Sequence, residues 1–478
     1  MMKTKLTLFV AALSSALLGL GCVAPVETAS GILLPTKTVI NKRQLEETGK
    51  RKLVPRETVT LPAATKPGSV SAGEKLAAIK NSFWAVNKHL DLGGSFYLYL
   101  STEQMLAKLD GYLDTITAFA DFAGEQLNEQ ERQQMAMAID MGRTVYEQSG
   151  LRDISGFGAS SFALKPGLNR NVVVLHHYAE KREGLLWKLL GAQAHEQEVL
   201  KLLPADTVFA FHADADVVGG FNWLQDFMKN TAPPEMVAEF AKMLATANQE
   251  FNLENLLKSI DGELGFFVTL NDRKRVAIPL PDAPIEMKID IPEPAFAIVL
   301  KVKDDQLFNL LTGQLQNPEL GELIEETKET KEGDVRLFTV TTPPLPVEID
   351  VSPTLMKAGN YLILTSNSKL AKDILAVKTG QNKGLAGTAE FERMAGDMDL
   401  KGNQMYYLSG KVAKEYGSLM KTFIKFAEAE APDDPEIKQQ LEMVKKFYLP
   451  SENMPAASQL GIMRLTNEGI VFESRQQR

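Results

Sequence analysis

Cysteine occurs once in the 478 residues, at Cys22, and histidine only five times. A single cysteine excludes an intramolecular disulfide and leaves no thiol nucleophile elsewhere in the chain. Basic charge is also short: 52 Lys and Arg stand against 61 Asp and Glu, a formal net charge of -9. Neutralising a phosphate backbone needs a basic face, so a nucleic-acid partner is not expected. Beyond the first 22 residues no apolar run is long enough to span a bilayer. The nucleotide and hydrolase signatures GxGxxG, Walker A and GxSxG are missing, as is the HExxH zinc helix. GFGASSF offers Ser160 and Ser161, but without the nucleophile-elbow spacing. No cofactor and no catalytic residue is expected.

What the chain does have begins with an address. MMKTK is a positive leader, LTLFVAALSSALLGLG an apolar segment of signal-peptide length, and Cys22 follows directly. GLGC resembles a bacterial lipobox, with Gly19 standing where that motif carries Leu, Val or Ile. The resemblance implies cleavage before Cys22, lipidation of its thiol, and an exported protein anchored on the periplasmic or outer face of a membrane. Residues 23–72, rich in Pro, Thr, Lys and Arg, have no sustained helix or strand period and are expected to be a flexible basic tether.

The remainder is organised by a repeat. Three stretches share one plan, over 73–200, 201–305 and 401–478. Each opens on a short apolar strand: SFYLYL at 95–100, TVFAFH at 207–212, QMYYLS at 404–409. A helix follows, with apolar residues at three- and four-residue spacing: Met105, Leu109, Tyr112, Ile116 and Phe119 in the first unit; Val217, Phe221, Leu224 and Met228 in the second; Tyr416, Leu419, Phe423 and Ala427 in the third. A second helix is announced by the Asn128–Glu131 capping box, by Pro234, and by Asp434-Pro435. A strand pair closes each unit, with KPG and NEG as turns in the first and third.

Two Pro-Leu-Pro stretches, 276–293 and 341–353, alternate apolar and acidic residues and are expected to be exposed β ribbons. The segment 306–400 between the second and third units predicts a strand, helix, strand insertion with a helix from Asn367 to Lys378. The fold class is therefore α+β: repeated antiparallel sheet units with helices packed on one face, plus protruding Pro-rich ribbons.

LLPADTVFAFHADADV, IDGELGFFVTL, FAIVLKVKD, NYLILTSNSKLAKDIL and GLAGTAEFERM together resemble a bacterial exported family catalogued as domain of unknown function 3352. The resemblance spans roughly residues 90–478. It implies a repeat-containing envelope or secreted protein without assigned catalytic residues.

Two histidine-bearing stretches hold whatever chemistry the sequence suggests. His176 and His177 end the strand NVVVLHH, and neighbours on a strand point to opposite faces, so the pair is expected to be structural. In HADAD, alternation can place His212, Asp214 and Asp216 on one face, a ligand set suited to zinc, manganese or iron. Helix capping by these acids is the simpler expectation. EGLLWKLLG, at 183–191, is expected to be a packing helix around Trp187. The expected function is non-catalytic binding or scaffolding in the cell envelope, with a membrane partner through the lipid and a protein or hydrophobic ligand as the second. The alternatives are a periplasmic carrier of a hydrophobic ligand and a hydrolase built on carboxylates or His212 and its neighbours.

Overall fold

The computed structural model describes residues 82–477, apart from 125–127, 183, 192, 280–287, 318–323, 344–348 and most of 416–456. The chain divides into two units, Met1–Ser71 and Ala72–Arg478, and every described residue belongs to the second. The expected signal segment, Cys22 and the expected tether lie outside the described residues, as does nearly all of the third unit's expected helical region, including Asp434-Pro435.

The first repeat unit comprises α1 (Ser82–Asn87), β1 (Phe96–Ser101), α2 (Glu103–Gly124), α3 (Glu129–Ser149), β2 (Ile154–Lys165) and β3 (Leu168–His177). A short helix α4 (Leu185–Leu189) leads into β4 (Thr207–Asp214), α5 (Val217–Thr231), α6 (Pro234–Phe251), α7 (Leu253–Ser259), β5 (Ile260–Pro279) and β6 (Lys288–Val302). The insertion holds α8 (Gln306–Leu315), β7 (Glu326–Glu332), β8 (Val335–Thr341), β9 (Thr354–Ala358), β10 (Tyr361–Thr365), α9 (Ser368–Lys378) and α10 (Ala389–Ala395). β11 (Gln404–Leu408), β12 (Ser458–Thr466) and β13 (Gly469–Gln477) complete the third unit, whose first helix starts at Gly410.

All thirteen strands join one antiparallel sheet, in the order β1-β2-β3-β13-β12-β11-β4-β5-β6-β10-β9-β8-β7. Units meet like to like: the closing strands β3 and β13 pair with each other, and so do the opening strands β11 and β4. This α+β sheet needs no long parallel crossover, because each unit is a local strand-helices-hairpin module joined edge to edge.

Local chemistry sets the element ends. Asn128 accepts from Glu131 N while the Glu131 carboxylate accepts from Asn128 N, so the predicted capping box opens α3. Asn367 caps α9 by accepting from Leu370 N, and the buried Leu370, Ala371, Ile374, Leu375 and Val377 follow at helical spacing. Gly469 has φ +126°, and a Cβ there would sit 1.9 Å from the Leu175 carbonyl oxygen, so only glycine lets the last hairpin lie against β3.

The larger core lies on the sheet face carrying Phe267, Val299, Ile363, Met356 and Tyr407, beneath α9 and α10. On the opposite face, α8 covers Val302, Leu362, Leu355 and Phe338 through Phe308. Trp187 of α4 covers Met463, Leu465 and Ile470 on that same opposite face. The helices α3 and α5 gather around α4 there, whereas α1 packs through Val86 on Val172 and Val174 of the other face.

Two expectations change. Met105, Leu109 and Tyr112, predicted as a buried stripe, are 57%, 39% and 65% exposed. The periodicity of α2 is real, but at these three positions its apolar face meets solvent. The insertion holds four strands, not two: β7 reads ETKETKE, an all-polar edge strand that carries no apolar period to betray it. Of the Pro-rich stretches, 276–279 and 288–292 pair as the arms of the β5–β6 hairpin, with Val276 only 1% exposed. Ile349 to Pro353 form no strand, and Asp350 N donates to Glu293 Oε1 at 3.2 Å, joining the two stretches.

Candidate functional site

Strand β4 projects His212 and Asp214 onto the larger-core face, two residues apart, as alternation requires. Its partner β5 sets Glu263 opposite Asp214, and β6 and β10 bring Lys301 and Tyr361 alongside. The segment ahead of β4 lies over this face, held by a two-way bridge between His195 and Gly402. His195, Asp214 and Glu263 then present ligand atoms within 4.8 Å of one another. Two features of this cluster lay beyond the sequence reading: His195 comes from an irregular segment, and Glu263 from across a hairpin partner.

The polar contacts are extensive. His195 Nε2 donates to Asp214 Oδ1 at 2.8 Å, and Asn403 Nδ2 donates to Asp214 Oδ2 at 2.9 Å. Tyr361 donates its hydroxyl proton to Glu263 Oε2 at 3.0 Å, and Lys301 forms an ion pair with the other oxygen. His212 Nε2 is 3.2 Å from Glu263 Oε2 but makes no hydrogen bond, although the residue is only 1% exposed. His195, 36% exposed, is the member that reaches solvent.

Burial dominates the titration of this cluster and the partners then sort it. Burial pushes the Asp214 carboxyl up, against the pull of His195 and Asn403. Burial acts to lower His195, but Asp214 and the Glu196 carbonyl outweigh it and raise it. Glu263 is held down at about 2, burial being overcome by His212 and Lys301. Tyr361 is raised by burial and by the neighbouring Glu263 charge. The arrangement therefore stores one firm carboxylate, one ammonium and two imidazoles in a space largely closed to water.

Gly191 allows this closure. Its φ is +83°, and a Cβ would meet Asp214 Oδ2 at 2.6 Å. Gly191→Ala is expected to lower stability by about 1–2 kcal/mol from the backbone alone, with a matching fall in Tm by calorimetry. An unchanged Tm would show that the loop can move away from Asp214.

The remaining predicted residues part company here. Asp216 is not in the cluster: it caps α5, accepting from Gly219 N at 2.8 Å, because β4 ends at Asp214 and alternation stops with it. Asp214, conversely, caps nothing. His176 and His177 point to opposite faces, 3% and 0% exposed. His176 Nδ1 shares a 2.6 Å hydrogen bond with Ser155 Oγ, and His177 packs 4.4 Å from the Trp187 ring, so both are structural. Trp187 is 1% exposed, as expected of a packing helix. Ser160 is buried and accepts from Asp91 N at 3.0 Å.

Among the described residues no helix is long and apolar enough to cross a membrane. Comparison with family models, curated proteins and solved structures returned no match.

Proposed function

We propose that the protein is an exported, lipid-anchored scaffold of the cell envelope, non-catalytic, that assembles through the free edge of its sheet. The contrast between the two sheet edges carries this reading. The β7 edge alternates acid, Thr and Lys, the usual defence against strand addition. The β1 edge is FYLYLS, with Phe96 50%, Tyr97 39% and Leu100 47% exposed, and among the described residues it pairs with β2 alone. The solvent-facing stripe of Met105, Leu109 and Tyr112 on α2 follows directly in the chain. Exposed apolar residues at an unpaired edge, as here, are of the type that marks contact sites.

The occupant that fits is a second copy. Inside the chain, opening strand pairs with opening strand at β11 and β4, and β1 is the opening strand left over. A two-fold β1–β1 contact repeats that rule between chains and is self-complementary, as an isologous interface must be. Lipidation at Cys22, the basic tether and membership of the resembled exported family belong to the same proposal.

The mature full-length protein in detergent is expected to run as a dimer in light scattering. Phe96→Lys combined with Leu100→Lys is expected to give monomers with an unchanged Tm, since both side chains face solvent in the single chain. A wild-type monomer at tens of micromolar, or dimers that survive the double substitution, would refute the edge-pairing reading.

Two alternatives are weaker on magnitudes. A cavity of about 250 Å³ lined by Pro294, Phe296, Ile349, Val351 and Pro353 favours a hydrophobic carrier, but it falls below the roughly 300–1,000 Å³ of ordinary ligand sites. A hydrolase built on the His-carboxylate cluster needs substrate access, and Asp214, Glu263 and His212 side chains are 8%, 6% and 1% exposed.

A further inference from the structure

We propose that His195, Asp214 and Glu263, with His212 as the fourth donor, bind a first-row divalent transition-metal ion, zinc foremost, which ties the segment around His195 to the second unit.

The orientation of the two imidazoles is the first support. His195 Nδ1 is 2.8 Å from the Glu196 carbonyl oxygen, and His212 Nδ1 is 3.1 Å from Gln197 Oε1. A carbonyl oxygen only accepts, so each Nδ1 carries the proton and donates it. Gln197 is itself oriented, its Nε2 donating to the Gly402 carbonyl at 2.7 Å. Both Nε2 atoms are thereby turned toward a carboxylate: His195 Nε2 donates to Asp214 Oδ1, a proton that an entering cation displaces, and His212 Nε2 faces Glu263 Oε2 without a hydrogen bond. Fixing the tautomer through Nδ1 is the outer-shell arrangement that metal-binding histidines use.

The second support is the buried Nε2 of His212. It faces Glu263 Oε2 at 3.2 Å without a hydrogen bond, in a residue only 1% exposed. A cation lying between the two atoms gives this buried nitrogen the partner it lacks. A tetrahedral ion with bonds near 2.0–2.1 Å holds its ligand atoms roughly 3.3 Å apart. The observed separations are 2.8 Å for His195 Nε2 and Asp214 Oδ1 and 3.2 Å for His212 Nε2 and Glu263 Oε2. These two pairs lie close to that spacing, and the ligand atoms of His195, Asp214 and Glu263 all lie within 4.8 Å of one another, so an ion enters by drawing the side chains together around it.

Charge and donor type select the ion. Two carboxylates, Asp214 and Glu263, face this buried space against the single ammonium of Lys301, a balance that favours a cation once it takes the place of the imidazole proton shared with Asp214. Two nitrogen donors favour zinc and its neighbours over calcium or magnesium, which take oxygen. Asn403, fully buried, orients Asp214 through Oδ2 while its own Oδ1 accepts from Leu465 N at 2.8 Å, so the outer shell reaches into the third unit. Lys301 stays on the far oxygen of Glu263, and Oε2, which accepts from Tyr361, keeps a second lone pair for the metal. His195, at the surface, offers the entry route.

The test uses the mature full-length protein without a histidine tag, stripped with a chelator and titrated with zinc chloride. One zinc per chain is expected to persist through gel filtration, and cobalt is expected to give the intense visible absorption of a tetrahedral site. His195→Gln is expected to weaken zinc binding at least about 100-fold while keeping the Tm of the stripped parent, and Asp214→Asn to weaken it similarly. Zinc content near zero, binding undiminished in His195→Gln, or tighter binding of magnesium than zinc would overturn the proposal. The scaffold reading is tested on dimerisation alone and stands or falls separately.

Discussion

Glu263→Ala is expected to destabilise the protein by about 3–5 kcal/mol, the cost of breaking a buried ion pair from one side. The carboxylate is 6% exposed and serves Lys301, Tyr361 and His212 together. Its removal leaves the Tyr361 hydroxyl, 7% exposed as a residue, without its acceptor and an ammonium facing a cavity. The Lys301 side chain is 23% exposed and can turn toward water, which places the loss at the lower end of that range. The double variant Glu263→Leu with Lys301→Met is expected to recover only part of it, because replacing both charged partners by apolar groups removes their desolvation cost along with the attraction while the Tyr361 hydroxyl stays without its acceptor. Denaturation midpoints measured in chelator separate this effect from any bound metal. A single-variant loss under about 1 kcal/mol would mean that the pair is solvated like a surface ion pair.

The same cluster marks how far the sequence carries. His212 and Asp214 were legible as a pair because period-two alternation is a local property of β4. Asp216 caps α5, the simpler of the two expectations for it; the metal alternative needed it on the strand, and nothing in HADAD says where the strand stops. Glu263 belongs to a neighbouring strand whose register is a tertiary fact, and His195 is delivered by an aperiodic segment docked at Gly402. Capping signals were legible for the opposite reason: Asn128 with Glu131, and Asn367, each satisfy backbone donors within three residues. Hairpins carrying Gly and Pro turns were legible too. The merger of the units into one sheet was not, since like-with-like pairing of β3 with β13 joins residues some 300 positions apart. The α2 stripe had the right period and the wrong environment: periodicity says that one face is apolar, and not what covers it.

Glu390→Gln is expected to cost about 1.5–3 kcal/mol at neutral pH, the worth of hydrogen bonds to a charged group. Glu390 belongs to α10 and gathers the start of the third unit around one carboxylate. Tyr407 and Ser409 donate to it at 3.0 and 2.8 Å, Gly410 N donates at 3.0 Å, and Ser458 donates from the base of β12. The Gly410 amide opens a helix, so the carboxylate also meets the favourable end of that helix dipole. Burial works to raise its pKa, but these four donors outweigh it and hold the group below the usual carboxylate range. A depressed folded-state pKa means that the unfolded chain binds the proton more tightly. The stabilisation is therefore complete above the unfolded value of about 4.3 and is lost as pH falls through the lower folded value. Glutamine keeps the shape and one acceptor oxygen but carries no charge to titrate. Plotted against pH, the stability difference between wild type and Glu390→Gln is expected to be flat from neutrality to about pH 5 and to shrink below it. A difference that stays constant down to pH 3 would show that the carboxylate's charge contributes nothing at the joint between α10, β11 and β12.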